Sequence, residues 1–155
     1  MKKYLSIDQG TTSSRAIIFD SDLNLINDSQ KEYDLAYPND GWVELNPNDV
    51  LETVRDTVVN VLSEDQEIEA CGITNQRETT VVWSKETGDP IYPAIVWQDR
   101  RTNEFCNELK SKGFENTVKE KTGLVLDPYF SATKIKWILE NVDGAKDMAK
   151  KGDLL

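Results

Sequence analysis

The sequence predicts an α/β domain with a mixed sheet, on the strength of two observations. Near the amino terminus, three strand-like segments follow one another through short polar turns, a pattern typical of an antiparallel meander. A capped helix and then an apolar, strand-like segment come next, and a helix between two strands is the usual connection between parallel neighbours. The 155 residues suffice for one domain or for a piece of a larger protein.

The strands of the meander are short and rich in β-branched and aromatic residues. They are predicted at residues 4–7, at residues 16–19 and from Leu23 to about Tyr33. A polar turn at residues 8–13 joins the first two, and a Ser-Asp turn at residues 21–22 joins the second to the third. Turns this short predict antiparallel neighbours.

The first helix carries clear start signals. Asn46 is a favoured N-cap, Pro47 suits the first helical position, and Asp49 lies where a carboxylate complements the helix dipole. Apolar residues then recur at the spacing of one helix face, at Val50, Leu51, Val54, Val58, Val61 and Leu62. We expect this stripe to pack on the sheet, followed by a buried strand at residues 68–73.

The second half predicts a hairpin followed by helices. Strand-like residues 80–83 and 91–97 flank a loop at 85–90 that is dense in turn-forming residues. Helices are predicted beyond Asp99, with Gly113 as a stop, and then near residues 114–121, 132–141 and 144–150. The final Leu154-Leu155 has the character of a first strand step, so we expect the sequence to be an N-terminal piece of a longer protein.

Three other groups of side chains are interpreted as structural. Asp99, Arg100 and Arg101 are interpreted as an N-cap and an exposed first helical turn. Cys71 and Cys106 are interpreted as small buried groups. The lysine-rich residues 146–151 are interpreted as a solvated face.

Composition excludes several functions. The net charge of −10 argues against nucleic acid or an anionic membrane surface as a partner. The absence of histidine excludes Ser-His-Asp and Cys-His catalysis and histidine-ligated metals. Two cysteines form neither a tetrathiolate site nor a disulfide framework. Without an apolar leader or a run long enough for a membrane span, we expect a cytoplasmic protein with no membrane insertion.

The turn between the first two strands has the composition of a phosphate-binding loop. Gly10 allows close approach of the backbone, and the hydroxyls of Thr11, Thr12 and Ser13 with nearby N–H groups can bond to phosphate oxygens. The same residues also suit an ordinary β-turn. Asp8, at the end of the first strand, could hold Mg²⁺ through water, and Arg15 could reach back to phosphate as a bidentate donor.

Several segments resemble the FGGY family of carbohydrate kinases, within the sugar-kinase, actin and Hsp70-like superfamily. They are residues 7–15 (IDQGTTSSR), 41–44 (GWVE), 72–80 (GITNQRETT), 96–102 (VWQDRRT), 122–124 (TGL) and 127–131 (DPYFS). The likeness runs from residue 4 to the last residue. It implies the N-terminal part of a ribonuclease-H-like α/β kinase domain, with residues 1–155 on its substrate and phosphate side and the second, nucleotide-binding domain absent.

The resemblance implies ATP-dependent phosphorylation of glycerol to glycerol 3-phosphate with ATP-Mg, in a protein expected to be a homo-oligomer. By this likeness, Arg77, Glu78 and Tyr129 hold the polyol, Trp97 packs on its carbon side, and Thr11 lies near the transferred phosphate. Another family member for a pentose, sugar acid or polyol, or a non-enzymatic module on the same fold, stays an alternative.

Physical chemistry sets a condition on this site. Arg77 offers a fork of donors and Glu78 two acceptor oxygens, but neighbouring residues of a regular strand point to opposite faces. We therefore expect a bulge, turn or strand end near residues 75–78. Without that irregularity, Arg77 and Glu78 would be a solvated charge pair, and Trp97 and Tyr129 would be packing residues.

The family's catalytic base is an aspartate in a later segment, and these 155 residues contain no equivalent. We expect no catalytic residue here, and an isolated chain without activity.

Overall fold

The computed structural model describes residues 2–63 and 67–155. In chain order the strands are β1 (Lys3–Gln9), β2 (Ser13–Asp20), β3 (Leu25–Glu32), β4 (Glu44–Leu45), β5 (Ala70–Asn75) and β6 (Ala94–Ile95). The helices are α1 (Pro47–Val61), α2 (Asn103–Ser111), α3 (Phe114–Thr122), α4 (Ser131–Asn141) and α5 (Ala145–Lys151). No helix of the described residues is long and apolar enough to cross a membrane.

The chain divides into two compact units. The first unit contains Met1–Leu35 and Asn46–Arg77, and the second contains Ala36–Leu45 and Glu78–Leu155. The chain passes between the units three times, and the last crossing falls between Arg77 and Glu78.

The first unit is a four-stranded sheet with α1 on one face. Its strand order is β3-β2-β1-β5, with β1 antiparallel to β2 and parallel to β5. This arrangement confirms the meander, the helical crossover and the mixed sheet. A core of Leu5, Ala16, Ile18 and Val61 lies between the sheet and the helix.

Helix α1 begins as predicted but buries a different stripe. Asn46 is the N-cap, its side chain accepting a hydrogen bond from the backbone of Asn48. The buried residues are Thr53, Thr57 and Val61, whereas Leu51 is 49% exposed, so the expected apolar stripe is wrong in part. The reason is local, because the facing strand offers the small Ser14, whose hydroxyl bonds to that of Thr53 at 2.9 Å.

The expectation of a buried strand after α1 is wrong. β5 is exposed along its whole length, and Ile73 keeps 74% of its surface accessible. The strand lies at the edge of the sheet, while α1 packs against β1, β2 and β3. Cys71 is consequently exposed rather than buried, although Cys106 is buried as expected.

The second unit combines the two-stranded β4–β6 sheet, a hairpin and helices α2–α5. The hairpin is confirmed, since Thr80 pairs with Ile95 and Trp83 with Pro90, both antiparallel. Leu154 bridges to Ser84, in agreement with its strand character. The four predicted helices are present, and the last three lie within one residue of their expected bounds, whereas α2 begins only at Asn103.

Arg101 corrects the interpretation of residues 99–101 as an exposed helical turn. Its side chain is 0% exposed and that of Asp99 is 1% exposed. The guanidinium pairs with Asp99 and with Glu44, both at 2.8 Å, and lies 3.9 Å from the ring centroid of Trp42. Glu44 and Trp42 come from a distant segment of the chain, and the N-cap of α2 is instead Thr102.

Candidate functional site

The turn at residues 10–13 is tight and closes on itself. The Gly10 amide donates to the carbonyl of Ser13 at 2.9 Å. A Cβ at Gly10 would lie only 3.2 Å from that oxygen, so the turn favours glycine at this position. Asp8 is exposed near the end of β1, beside the turn, and Thr12 is also exposed. A carboxylate and hydroxyls thus meet at the carboxyl end of a central strand, where α/β sheets bind ligands.

Tyr33 fixes the turn, a role that was not predicted from the sequence. Its hydroxyl donates to the carbonyl of Gly10 and accepts from Gln9 at 2.6 Å and from Gln76 at 3.1 Å. Its amide donates to the carbonyl of Thr12 at 3.1 Å. Burial raises the pKa of the phenol, so Tyr33 stays neutral and keeps its proton for the bond. A tyrosine directly after a polar strand gives no sequence signal for this role.

Arg15 faces Asp8 across the β1–β2 ladder. Its guanidinium bonds to Asp28 on β3, with the shorter distance at 2.7 Å. Ser13 also has a β3 partner, because Gln30 donates to its hydroxyl at 3.0 Å. The side chains of Arg15 and Ser13 are therefore both held by residues of β3, the first by the acidic Asp28 and the second by the neutral Gln30.

The backbone is irregular where the sequence analysis required it. β5 ends at Asn75, and Glu78 has a φ of 65°, a left-handed conformation that a non-glycine residue rarely adopts. The expected interruption near residues 75–78 is confirmed. Arg77 is exposed and is the last residue of the first unit.

The Glu78 side chain reaches the start of α4 within the second unit. Its Oε2 accepts hydrogen bonds from the amide of Ser131 at 2.9 Å and from its hydroxyl at 2.7 Å. The helix has no side-chain cap from its own N-cap residue, so Glu78 supplies one and complements the helix dipole.

Lys134 lies buried in α4 next to this carboxylate. Its Nζ donates to the backbone carbonyl of Glu78 at 3.0 Å and to that of Tyr129. Burial lowers the pKa of Lys134 to about 8, against the opposing attraction of Glu78, Asp99 and Asp127. Nothing in the sequence distinguishes this lysine, because its position on α4 is that of any lysine of an amphipathic helix.

Trp97 and Tyr129 form a half-buried aromatic pair. Their ring centroids are 5.9 Å apart with the planes at 68°, an edge-to-face contact. The Trp97 amide donates to the hydroxyl of Thr79 at 3.2 Å, and Tyr129 is joined to Glu78 through Lys134. The structure therefore brings Glu78, Trp97 and Tyr129 together in the second unit, whereas Arg77 and Thr11 belong to the first.

Asp8 offers a metal ion a single carboxylate. No group of three or more histidine, cysteine, aspartate or glutamate side chains in the described residues could hold a metal ion. One exposed carboxylate beside hydroxyls does fit Mg²⁺ that keeps most of its water and is completed by substrate phosphates.

The fold is the ribonuclease-H-like α/β fold of the carbohydrate kinases. Residues 3–152 match the N-terminal domain of the FGGY family of carbohydrate kinases, and the chain belongs to this family.

Known relatives agree with this assignment. The glycerol kinase of Desulforamulus reducens is 57% identical over 99% of this chain. The crystal structure of Plasmodium falciparum glycerol kinase with ADP matches the whole chain with a TM-score of 0.93 at 34% identity. The xylulose kinase of Rhodospirillum rubrum, at 22% identity and a TM-score of 0.84, shares the fold. The chain spans about a third of the first two proteins, 32% of each.

Proposed function

We propose that this chain is the substrate-binding and phosphate-binding N-terminal part of an ATP-dependent glycerol kinase. The observation that carries the proposal is the cluster of Glu78, Trp97 and Tyr129, in which the two rings meet edge to face and Lys134 joins the backbone of Glu78 to that of Tyr129. Glycerol has three hydroxyls on a short carbon chain, so it needs charged hydrogen-bonding partners and an apolar wall. The reaction would move the γ-phosphate of ATP to a terminal hydroxyl and give glycerol 3-phosphate and ADP.

In this proposal five residues bind glycerol. Glu78 accepts from a hydroxyl through Oε1, and Arg77 donates to the neighbouring oxygen, each charge-assisted bond contributing about 1.5–3 kcal/mol. Trp97 and Tyr129 lie along the carbon chain, and Tyr129 adds its phenolic hydroxyl. Thr11 lies closest to the phosphate that is transferred.

The turn of the first unit would hold the phosphates. The residues proposed for this role are Asp8, Gly10, Thr11, Thr12, Ser13 and Arg15. Asp8 would hold Mg²⁺ through water, and the ion would neutralise negative charge on the phosphates. Backbone N–H groups and hydroxyls of the turn would orient the phosphate oxygens, and Tyr33 would keep the turn in place.

No base for the attacking hydroxyl is proposed from these residues. Phosphoryl transfer requires a carboxylate within hydrogen-bond reach of the nucleophile. We assign that carboxylate, and the adenine pocket, to the part of the kinase that this chain does not include. The chain alone is therefore expected to form no glycerol 3-phosphate. A cytoplasmic location and a homo-oligomeric whole protein complete the proposal.

The experiment is a substrate panel on the whole protein of which this chain would form about a third. Glycerol, xylulose and gluconate are compared by kcat/KM with ATP and Mg²⁺, and the 155-residue chain serves as the control. We expect the highest kcat/KM with glycerol and no turnover by the chain alone. Faster turnover of xylulose or gluconate would contradict the choice of substrate, and turnover by the isolated chain would contradict the missing base.

A further inference from the structure

Lys134 makes contacts that an ordinary helix lysine does not. Its side chain is fully buried, whereas Lys136 on the same helix is 41% exposed and pairs with Glu140. Burying an ammonium is unfavourable unless hydrogen bonds compensate. Here they come from two backbone carbonyls, those of Glu78 and Tyr129, which are 51 positions apart in sequence.

The carbonyl of Glu78 belongs to a strained residue. A non-glycine residue at a φ of 65° persists only where its surroundings hold it. Two fixed points hold Glu78, because Ser131 binds the carboxylate and Lys134 binds the carbonyl. Together they set the direction of the side chain relative to its own backbone.

The ammonium of Lys134 also holds Tyr129. Its carbonyl accepts from Lys134 while its amide donates to Asp127 at 2.9 Å. One nitrogen thus connects the residue that offers a carboxylate with the residue that offers an aromatic face.

We propose that Lys134 is a positioning residue for glycerol, because its ammonium fixes the backbone of Glu78 and Tyr129 and so sets the spacing between their side chains. This inference rests on the proposed function. Lys134 itself does not touch the substrate in this account. Its effect is on glycerol affinity, and the phosphate turn of the first unit is not part of it.

The surroundings of Lys134 determine its charge. The pH dependence of the glycerol KM therefore gives a second test of the proposal. Burial lowers its pKa to about 8, the carboxylates of Glu78, Asp99 and Asp127 act in the opposite direction, and Arg100 adds to the lowering. Above this pH the amine is neutral, and neutral hydrogen bonds are about half as strong as charge-assisted ones. Glycerol has no group that titrates in this range, so a change in its KM reports on the protein.

The test compares Lys134→Met with Lys136→Met in the whole protein, at pH 7 and saturating ATP. We expect Lys134→Met to raise the glycerol KM by about 10-fold or more and to leave the ATP KM within about 2-fold. Lys136→Met should change neither value. An unchanged glycerol KM in Lys134→Met, or an equal rise in both KM values, would overturn the positioning role.

The pH profile keeps the proposal testable if Lys134→Met does not fold. In the unsubstituted protein, the glycerol KM should rise by about 3-fold between pH 7 and pH 9.5 as the ammonium loses its proton. A folded Lys134→Met protein should lack this rise. A flat profile in the unsubstituted protein, or the same rise in the variant, would refute the inference. An unsubstituted protein without glycerol kinase activity would instead remove the proposed function on which the inference depends.

Discussion

Substitution of Arg101 tests the most unexpected feature of the second unit. Arg101→Met removes the guanidinium but keeps an unbranched side chain to pack beside Trp42 and Trp137, whose ring centroids lie 3.9 and 4.5 Å from the guanidinium carbon. The carboxylates of Asp99 and Glu44 then remain in the interior without their cation.

The expected loss follows from burial. Removing one partner of a buried ion pair costs about 3–5 kcal/mol, because the other charge stays uncompensated. Asp99 keeps the amide of Val43 at 2.7 Å, and Glu44 keeps the hydroxyl of Tyr92 at 2.6 Å. Because these bonds remain, we expect the free energy of unfolding to fall by about 3 kcal/mol, the lower end of this range.

Urea unfolding followed by tryptophan fluorescence measures this loss. All four tryptophans, Trp42, Trp83, Trp97 and Trp137, belong to the second unit, so the signal reports on that unit. A loss of about 3 kcal/mol should lower the midpoint by about 1.5–3 M urea for a small unit.

Arg100→Met is the matched control for this measurement. Its pair with Asp127 is exposed, with side chains 57% and 35% accessible, and such pairs contribute about 0–1 kcal/mol. If Arg101→Met lowers the midpoint no more than Arg100→Met, the buried ion pair does not stabilise the unit and the reasoning is refuted.

Two further predictions concern the turn and the buried lysine. Tyr33→Phe removes the hydroxyl that links Gly10 to Gln9 and Gln76, and we expect the ATP KM of the whole protein to rise by about 3-fold or more at an unchanged glycerol KM. Equal ATP KM values in both proteins would show that the hydroxyl does not hold the turn. Lys134 has a pKa near 8 when folded and 10.5 as its ordinary value, so the unfolded state binds more protons between these values and the free energy of unfolding rises with pH there. Relative to Lys134→Met, urea titrations at pH 7.5 and pH 10.5 should show this rise, up to about 3 kcal/mol, and its absence would contradict the burial of a charged amine.

Local signals in the sequence predict most of the elements. Asn46 and Pro47 mark the start of α1, and Gly113 separates α2 from α3 in a left-handed conformation. Such signals act through a residue's own backbone and its immediate neighbours. The burial of a side chain depends on what faces it, so the predictions of an apolar buried stripe on α1 and of a buried strand after it are wrong in part and in full, respectively.

The candidate site also contains both residues that the sequence predicts and residues that it does not. The motif residues Glu78, Trp97 and Tyr129 were singled out from the sequence, together with the backbone irregularity before Glu78. The residues that hold them could not be, because Lys134 and Ser131 reach Glu78 across more than fifty positions. Arg101 shows the same limit, since its partner Glu44 is 57 positions away.

The most direct test of the account is the glycerol KM of Arg77→Ala in the whole protein, with Arg55→Ala as the control. Arg55 is exposed on α1 and has no role in the proposed site. Loss of a charge-assisted hydrogen bond should raise the glycerol KM of Arg77→Ala by about 10-fold or more, while Arg55→Ala stays unchanged. A glycerol KM that is the same in Arg77→Ala as in the unsubstituted protein would contradict the claim that this arginine binds glycerol.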